Sequence, residues 1–211
     1  MKLLLTSAGI KNQSIANELI NLVGKSSSQI KIGFIPTAAN VEKGNKNWFI
    51  NQFNDLNKYG FTWIDIVDIS AAGVDWKNRL AEVDVILVSG GNTFYLLDQV
   101  QKTGFGEWLK KNLNKKVYLG ISAGSIIAAP TIAIAGIDNG DVNIPGIEDL
   151  SGLSLVSFEV SPHTPENVSH EGNRKYLKTT GNELYALDNN SALSVVEKAP
   201  KVVSEGEWIK Y

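Results

Sequence analysis

Residues 115–130 read KKVYLGISAGSIIAAP. A short apolar run, Val117-Tyr118-Leu119, enters Gly120-Ile121-Ser122-Ala123-Gly124, and an Ala- and Ile-rich segment of helical character follows. Strand, Gly-x-Ser-x-Gly, helix is the sequence form of a nucleophile elbow, a sharp turn with a serine at its tip. Gly120 and Gly124 leave no Cβ where the two backbones close around a strained central residue. Such a turn lifts the Ser122 hydroxyl above the sheet, beside the first free N–H groups of the helix, which can stabilise an oxyanion. The pattern is short and also serves as a plain packing turn, so its meaning depends on its surroundings.

Those surroundings alternate. Strand-like apolar runs occur at residues 2–6, 30–36, 62–69, 84–88 and 116–121, and helical patterns at 13–23, 45–59 and about 93–112. Short continuous apolar strands alternating with helices predict a parallel sheet covered on both faces, an α/β three-layer sandwich. The last third is richer in strand: 153–160, then 184–196 as a hairpin about Asn189-Asn190, then a terminal hairpin or edge strands over 200–211. No linker, repeat or low-complexity tract interrupts the chain, so residues 1–211 are expected to form one domain. In open parallel sheets ligands bind beyond the carboxyl ends of the strands. Pro36-Thr37-Ala38, Ser89-Gly90-Gly91-Asn92-Thr93 and the Ser122 elbow all fall at such ends, and so share one rim.

Composition narrows the chemistry. The 211 residues contain no cysteine and two histidines. That excludes disulfides, thiolate metal sites and a cysteine nucleophile, and no metal or cofactor is expected. A net charge of −2 with mixed signs does not favour nucleic acid. The start, MKLLLTSAG, turns polar too soon for a signal peptide, and no run approaches a membrane span. A cytoplasmic protein is the expectation, with a short peptide rather than nucleic acid or membrane as its partner and a homodimer left open.

A serine nucleophile needs a base, usually histidine. His163 lies in Ser161-Pro162-His163-Thr164-Pro165, just past a predicted strand and fixed between prolines. His170 lies in the polar stretch NVSHEGN and is the weaker candidate. An N–H in Gly90-Gly91 together with that of Ala123 would form a two-donor oxyanion hole, whereas Asn92 or Thr93 could simply cap the following helix. The residue that orients the histidine is open among Asp138, Asp141, Asp188 and Asn189, all of them also ordinary turn residues. Of the two arginines, Arg79 and Arg174, the second stands 11 residues after His163 on a predicted helix and could hold a substrate carboxylate.

Taken together, Gly-Gly-Asn-Thr-Phe at 90–94, the Gly-x-Ser-Ala-Gly elbow running on to Pro130-Thr131-Ile132, and Pro162-His163 resemble the peptidase E family of serine peptidases. That group contains α-aspartyl dipeptidase and, more distantly, the cyanophycinases. The resemblance covers most of the chain in the same order. It implies a fold like the class I glutamine amidotransferase sheet, a flavodoxin-like arrangement. It also implies Ser122 as nucleophile, His163 as base, and Gly91 and Ala123 as oxyanion donors, with Asn92 and Arg174 at the substrate. Relatives carry a glutamate in the turn matching residues 187–193; here Asn189 stands there, preceded by Asp188, which becomes the expected third member. Other members use an aspartate after the elbow helix, and Asp138 falls one residue out of that register. Arg174 fits the region that binds the substrate aspartate in the family while its flanking residues differ, so dipeptides with an N-terminal aspartate stay an open option. The leading expectation is a serine peptidase for short peptides. An esterase built on the same elbow and an inactive binding module are the alternatives.

Overall fold

The computed structural model describes residues 1–211. Ten strands form: β1 Lys2–Thr6, β2 Lys31–Ile35, β3 Trp63–Ile66, β4 Val85–Val88, β5 Val117–Ile121, β6 Glu159–Ser161, β7 Leu184–Leu187, β8 Ser191–Val196, β9 Ala199–Ser204 and β10 Trp208–Lys210. A seven-stranded sheet has the order β3-β2-β4-β5-β1-β8-β9. Its first five members are parallel, and β8 and β9 add on antiparallel beside β1. A second sheet has the order β10-β7-β6.

Seven helices pack around the two sheets, α7 against β7 of the small one: α1 Gln13–Val23, α2 Asn47–Lys58, α3 Trp76–Ala81, α4 Thr93–Thr103, α5 Phe105–Asn112, α6 Ala123–Ile126 and α7 His170–Thr180. The sheet's side chains alternate between two cores, as the pleat requires. Leu4, Phe34, Leu87 and Leu119 face one core with Ile15, Leu19 and Leu22 of α1 and Leu56 of α2. Leu3, Leu5, Ile86 and Tyr118 face the other with α3 to α6 and the small sheet. This is the predicted three-layer sandwich.

Local chemistry explains the helix limits. The Asn12 side chain accepts from the Ile15 N–H and starts α1, and Gly24 at φ +79° ends it. The single helix expected over 93–112 is two, because Gly104 at φ +71° stops α4 and α5 restarts behind it. The six-residue α3 has no counterpart in the sequence reading.

Two strand expectations are corrected. Of residues 153–160, only the end enters β6. Leu153, Leu155 and Val156 are buried without a ladder, and their N–H groups instead serve carbonyls of Ile127 and Ala128, just past α6. Residues 184–196 are not a hairpin. β7 belongs to the small sheet, while β8 already has partners on both edges, β1 and β9. The terminal strands likewise divide, β9 joining the large sheet and β10 the small one.

Register brings the strand ends level. Thr6 pairs with Ile121, Val88 with Gly120 and Ile35 with Val88. The segments that follow β1, β2, β4 and β5 therefore emerge along one rim. Helix α1 after β1 and α2 after β2 cover one face, whereas α4 after β4 and α6 after β5 cover the other. A crevice opens where the helices diverge in this way.

Candidate active site

Ser122 follows β5 at φ 48° and ψ −109°, a backbone conformation that costs a non-glycine residue about 1–3 kcal/mol. The surroundings hold it there. A Cβ on Gly124 would lie 2.2 Å from the Val88 carbonyl oxygen, and one on Gly120 would lie 2.6 Å from that of Gly124. The buried Tyr118 hydroxyl donates to the Gly124 carbonyl at 2.5 Å, tying strand to helix. The Ser125 hydroxyl donates to the Thr6 carbonyl at 2.8 Å and the Ser122 N–H to the same group at 3.0 Å, joining the elbow to β1. Helix α6 is a single turn, so its dipole is small and the positioning of individual N–H groups matters more.

A cavity of about 440 Å³ opens in front of Ser122. Ser122 is half-buried, with Gly90, Gly91, Asp141, His163, Asn167 and Asn189 around it. The elbow serine thus faces a cleft and not the core. Gly90 lies so close that a Cβ there would sit 3.2 Å from the Cβ of Ser122. Gly91, at φ +132°, presses on the Ala38 carbonyl, where a Cβ would come within 2.3 Å of oxygen. The N–H groups of Gly91 and Ala123 donate to no backbone carbonyl. Gly91 lines the cavity, while Ala123, next to Ser122, has its methyl fully buried.

His163 stands two residues past β6 at φ 55°. Its N–H donates to the buried Ser7 hydroxyl at 2.8 Å. Its Nδ1 lies 2.5 Å from Oδ1 of Asn189. The Nδ2 of Asn189 donates to Glu166 Oε2 at 2.8 Å. A carboxylate only accepts, so Glu166 turns the amide NH2 toward itself and the amide oxygen toward the imidazole. An oxygen facing Nδ1 requires the proton there, which leaves Nε2 as a free acceptor. His163 and Ser122 line the same cavity without a direct hydrogen bond, a contact that often tightens only when substrate is bound. His170 lies elsewhere, its Nδ1 2.8 Å from the Tyr211 hydroxyl.

Asp188, expected beside His163, is not brought there. Its carboxylate accepts from the Asn190 N–H, the Ser191 hydroxyl and the Glu207 N–H, at 3.0, 2.5 and 2.8 Å, and so anchors the crossing from β7 to β8. Asp138 is also a structural group. It accepts from the Ser169 N–H and hydroxyl at the start of α7, and these bonds hold its carboxyl below the usual range. Asn92 is the buried cap of α4: Oδ1 accepts from the Tyr95 N–H and Nδ2 donates to the Val142 carbonyl, both at 2.9 Å. It does not line the cavity, and neither does Arg174, whose guanidinium lies 6.0 Å from the ring centre of Tyr211.

Asp141 is a part of the site that sequence reasoning left undecided. It lines the cavity and accepts from the Thr93 N–H at 2.7 Å. Burial raises its carboxyl above the ordinary value, opposed by the bonds from Thr93 and by the charge of His163. The far wall was not foreseen. It comes from Lys11, Glu42 and one face of α2, with Trp48, Asn51, Gln52 and Asp55. Its one sequence signal is that this face of α2 carries amides and a carboxylate where a helix packed entirely on the sheet would be apolar.

The chain matches peptidase family S51 over residues 3–203. It is 33% identical over 168 residues to an uncharacterized peptidase of Pasteurella multocida, a match spanning 78% of this chain and 80% of that one. It is 32% identical to a peptidase E of Nostoc, over 74% of this chain and 61% of that one. The crystal structure of a protein from Listeria monocytogenes described as peptidase E superposes with a TM-score of 0.81 at 25% identity, covering 97% of this chain and 98% of that one. A peptidase from an acI-B1 actinobacterium shares the fold, with a TM-score of 0.66 at 18% identity over 100% of this chain and 96% of that one. No helix is long and apolar enough to cross a membrane. With the family match running from β1 into β9 and an elbow serine open to the cavity, the chain belongs to peptidase family S51 and is a hydrolase of peptide bonds, similar to peptidase E.

Proposed function

We propose that the protein is a serine peptidase acting on short peptides through an acyl-enzyme on Ser122. The observation that carries this reading is the cavity shared by the Ser122 elbow and a histidine whose Nδ1 is held by an amide oxygen. Ser122 Oγ attacks the scissile carbonyl carbon while His163 Nε2 takes the hydroxyl proton. The carbonyl oxygen becomes an oxyanion stabilised by the N–H groups of Gly91 and Ala123. Collapse breaks the C–N bond, and His163 returns the proton to the leaving amine. Water, deprotonated by the same nitrogen, then attacks the acyl-enzyme; the ester bond breaks and Ser122 regains its proton.

Asn189 supplies orientation without charge. Serine and cysteine hydrolases use either a carboxylate or an amide in this position. The limited volume of the cavity, about 440 Å³, with helix α2 as its far wall, favours a short substrate over a folded chain. Dipeptide hydrolysis by wild type and Ser122→Ala tests the reading. The variant should lose about three or more orders of magnitude in kcat with an unchanged circular dichroism spectrum. A fully active Ser122→Ala enzyme removes the proposal. A serine-directed phosphonate that labels the wild type but not the variant would support it further.

A further inference from the structure

The ionisable groups of the cavity point to its substrate class. Besides His163, four line it: Lys11, Glu42, Asp55 and Asp141. Lys11 is the only permanent cation among them, and its ammonium is already paired with Asp55 at 2.9 Å. Glu42 and Asp141 have no cationic partner of this kind. Lys46, close to Glu42, turns its ammonium onto the backbone carbonyls of Ala39 and Glu42 and over the Trp48 ring. Both arginines are engaged elsewhere, Arg79 on Asp65 and the Ile66 carbonyl, and Arg174 over Tyr211. An independent observation agrees. Gln52 lines the same wall, is only 6% exposed, and its Oε1 has no hydrogen-bond partner. An unpaired buried acceptor is costly until a donor reaches it.

We propose that the cavity selects short peptides with a positively charged N-terminal residue and rejects those that begin with aspartate, a proposal that rests on the serine-peptidase reading of the same site. An N-terminal lysine or arginine brings two cationic donor groups, the α-ammonium and the side chain, to a wall that offers carboxylates and amide oxygens. An N-terminal aspartate would bring a carboxylate to a wall with no free cation, and a desolvated charge without a partner is strongly disfavoured.

Binding and cleavage separate the two layers of the argument. Lys-Leu, Asn-Leu and Asp-Leu are titrated by calorimetry into the Ser122→Ala protein, and the same peptides are given to wild type for kcat/KM. Lys-Leu should bind at least about tenfold more tightly than Asp-Leu, the equivalent of ~1.4 kcal/mol. Glu42→Gln, added to Ser122→Ala, should narrow that gap several-fold, because it removes one charge and keeps the shape. Raising the salt concentration should narrow it as well. Equal binding, tighter binding of Asp-Leu, or no detectable binding of Lys-Leu at millimolar concentration overturns the charge assignment. If Asp-Leu is cleaved fastest and Ser122 is required, the charge assignment fails while the serine-peptidase reading stands. If Lys-Leu binds preferentially but wild type cleaves none of the peptides, the reverse holds.

Discussion

Replacing Asn189 by alanine isolates the contact on which His163, the proposed base, depends. The Asn189 oxygen, 2.5 Å from His163 Nδ1, is the only side-chain acceptor that holds the ring. Its loss removes a hydrogen bond and the preference for a proton on Nδ1, so part of the population presents a protonated Nε2 that cannot accept from Ser122. A part-buried neutral hydrogen bond contributes about 0.5–1.5 kcal/mol, and stranding its partner adds about 1–3. A net loss of about 1.4–2.8 kcal/mol in the transition state corresponds to roughly 10- to 100-fold in kcat/KM. The fall should appear mainly in kcat, since the ring guides proton transfer more than it binds peptide. Initial rates of dipeptide hydrolysis measure it, with thermal melts as a control for folding. Asn189→Asp keeps an acceptor at the ring and should recover most of the loss. Asp188→Asn is the matched contrast: its carboxylate serves the strand crossing, so it should lower the melting temperature and leave kcat/KM close to wild type in the protein that remains folded. Full activity in Asn189→Ala, or a collapse of kcat in a well-folded Asp188→Asn, would refute this account of the triad.

Other outcomes follow from the same contacts. Tyr118→Phe removes the hydroxyl that ties β5 to α6 and strands the Gly124 carbonyl, which should cost about 1–3 kcal/mol in urea unfolding; an unchanged midpoint would show that the bond is dispensable. Glu166→Gln lets the Asn189 amide reverse, because a glutamine partner can donate as well as accept, and a several-fold fall in kcat with little change in KM is expected. Asp141 governs a pH dependence. Burial raises its carboxyl above the ordinary 3.8, so between that value and the folded-state value the native chain holds more protons than the unfolded one. Stability from this group is therefore greatest below 3.8 and falls as pH rises through the window. Asp141→Asn removes that slope, so its stability relative to wild type should increase from acid to neutral pH in urea titrations; a difference independent of pH would count against the assignment.

The sequence alone determined the parts that local pattern controls. Apolar runs of strand length between amphipathic helices can be covered only as a sandwiched parallel sheet, and the spacing of Gly120 and Gly124 about Ser122 is the requirement of a close strand-to-helix turn, so the fold class and the turn at Ser122 were legible. His163 was legible because a histidine just past a strand end, between prolines, has little backbone freedom. What stands opposite those residues was decided by tertiary structure. Asp188 and Asn189 are adjacent turn residues with no local feature to rank them; the crossing from β7 to β8 turns one toward Glu207 and the other toward His163, 26 residues away. Arg174 could lie on either side of α7, and its contact with Tyr211 draws it from the cavity. The charged wall built from Lys11, Glu42 and α2 joins segments separated by whole strands. Periodicity reports which face of an element is buried, but not which distant side chain that face will meet.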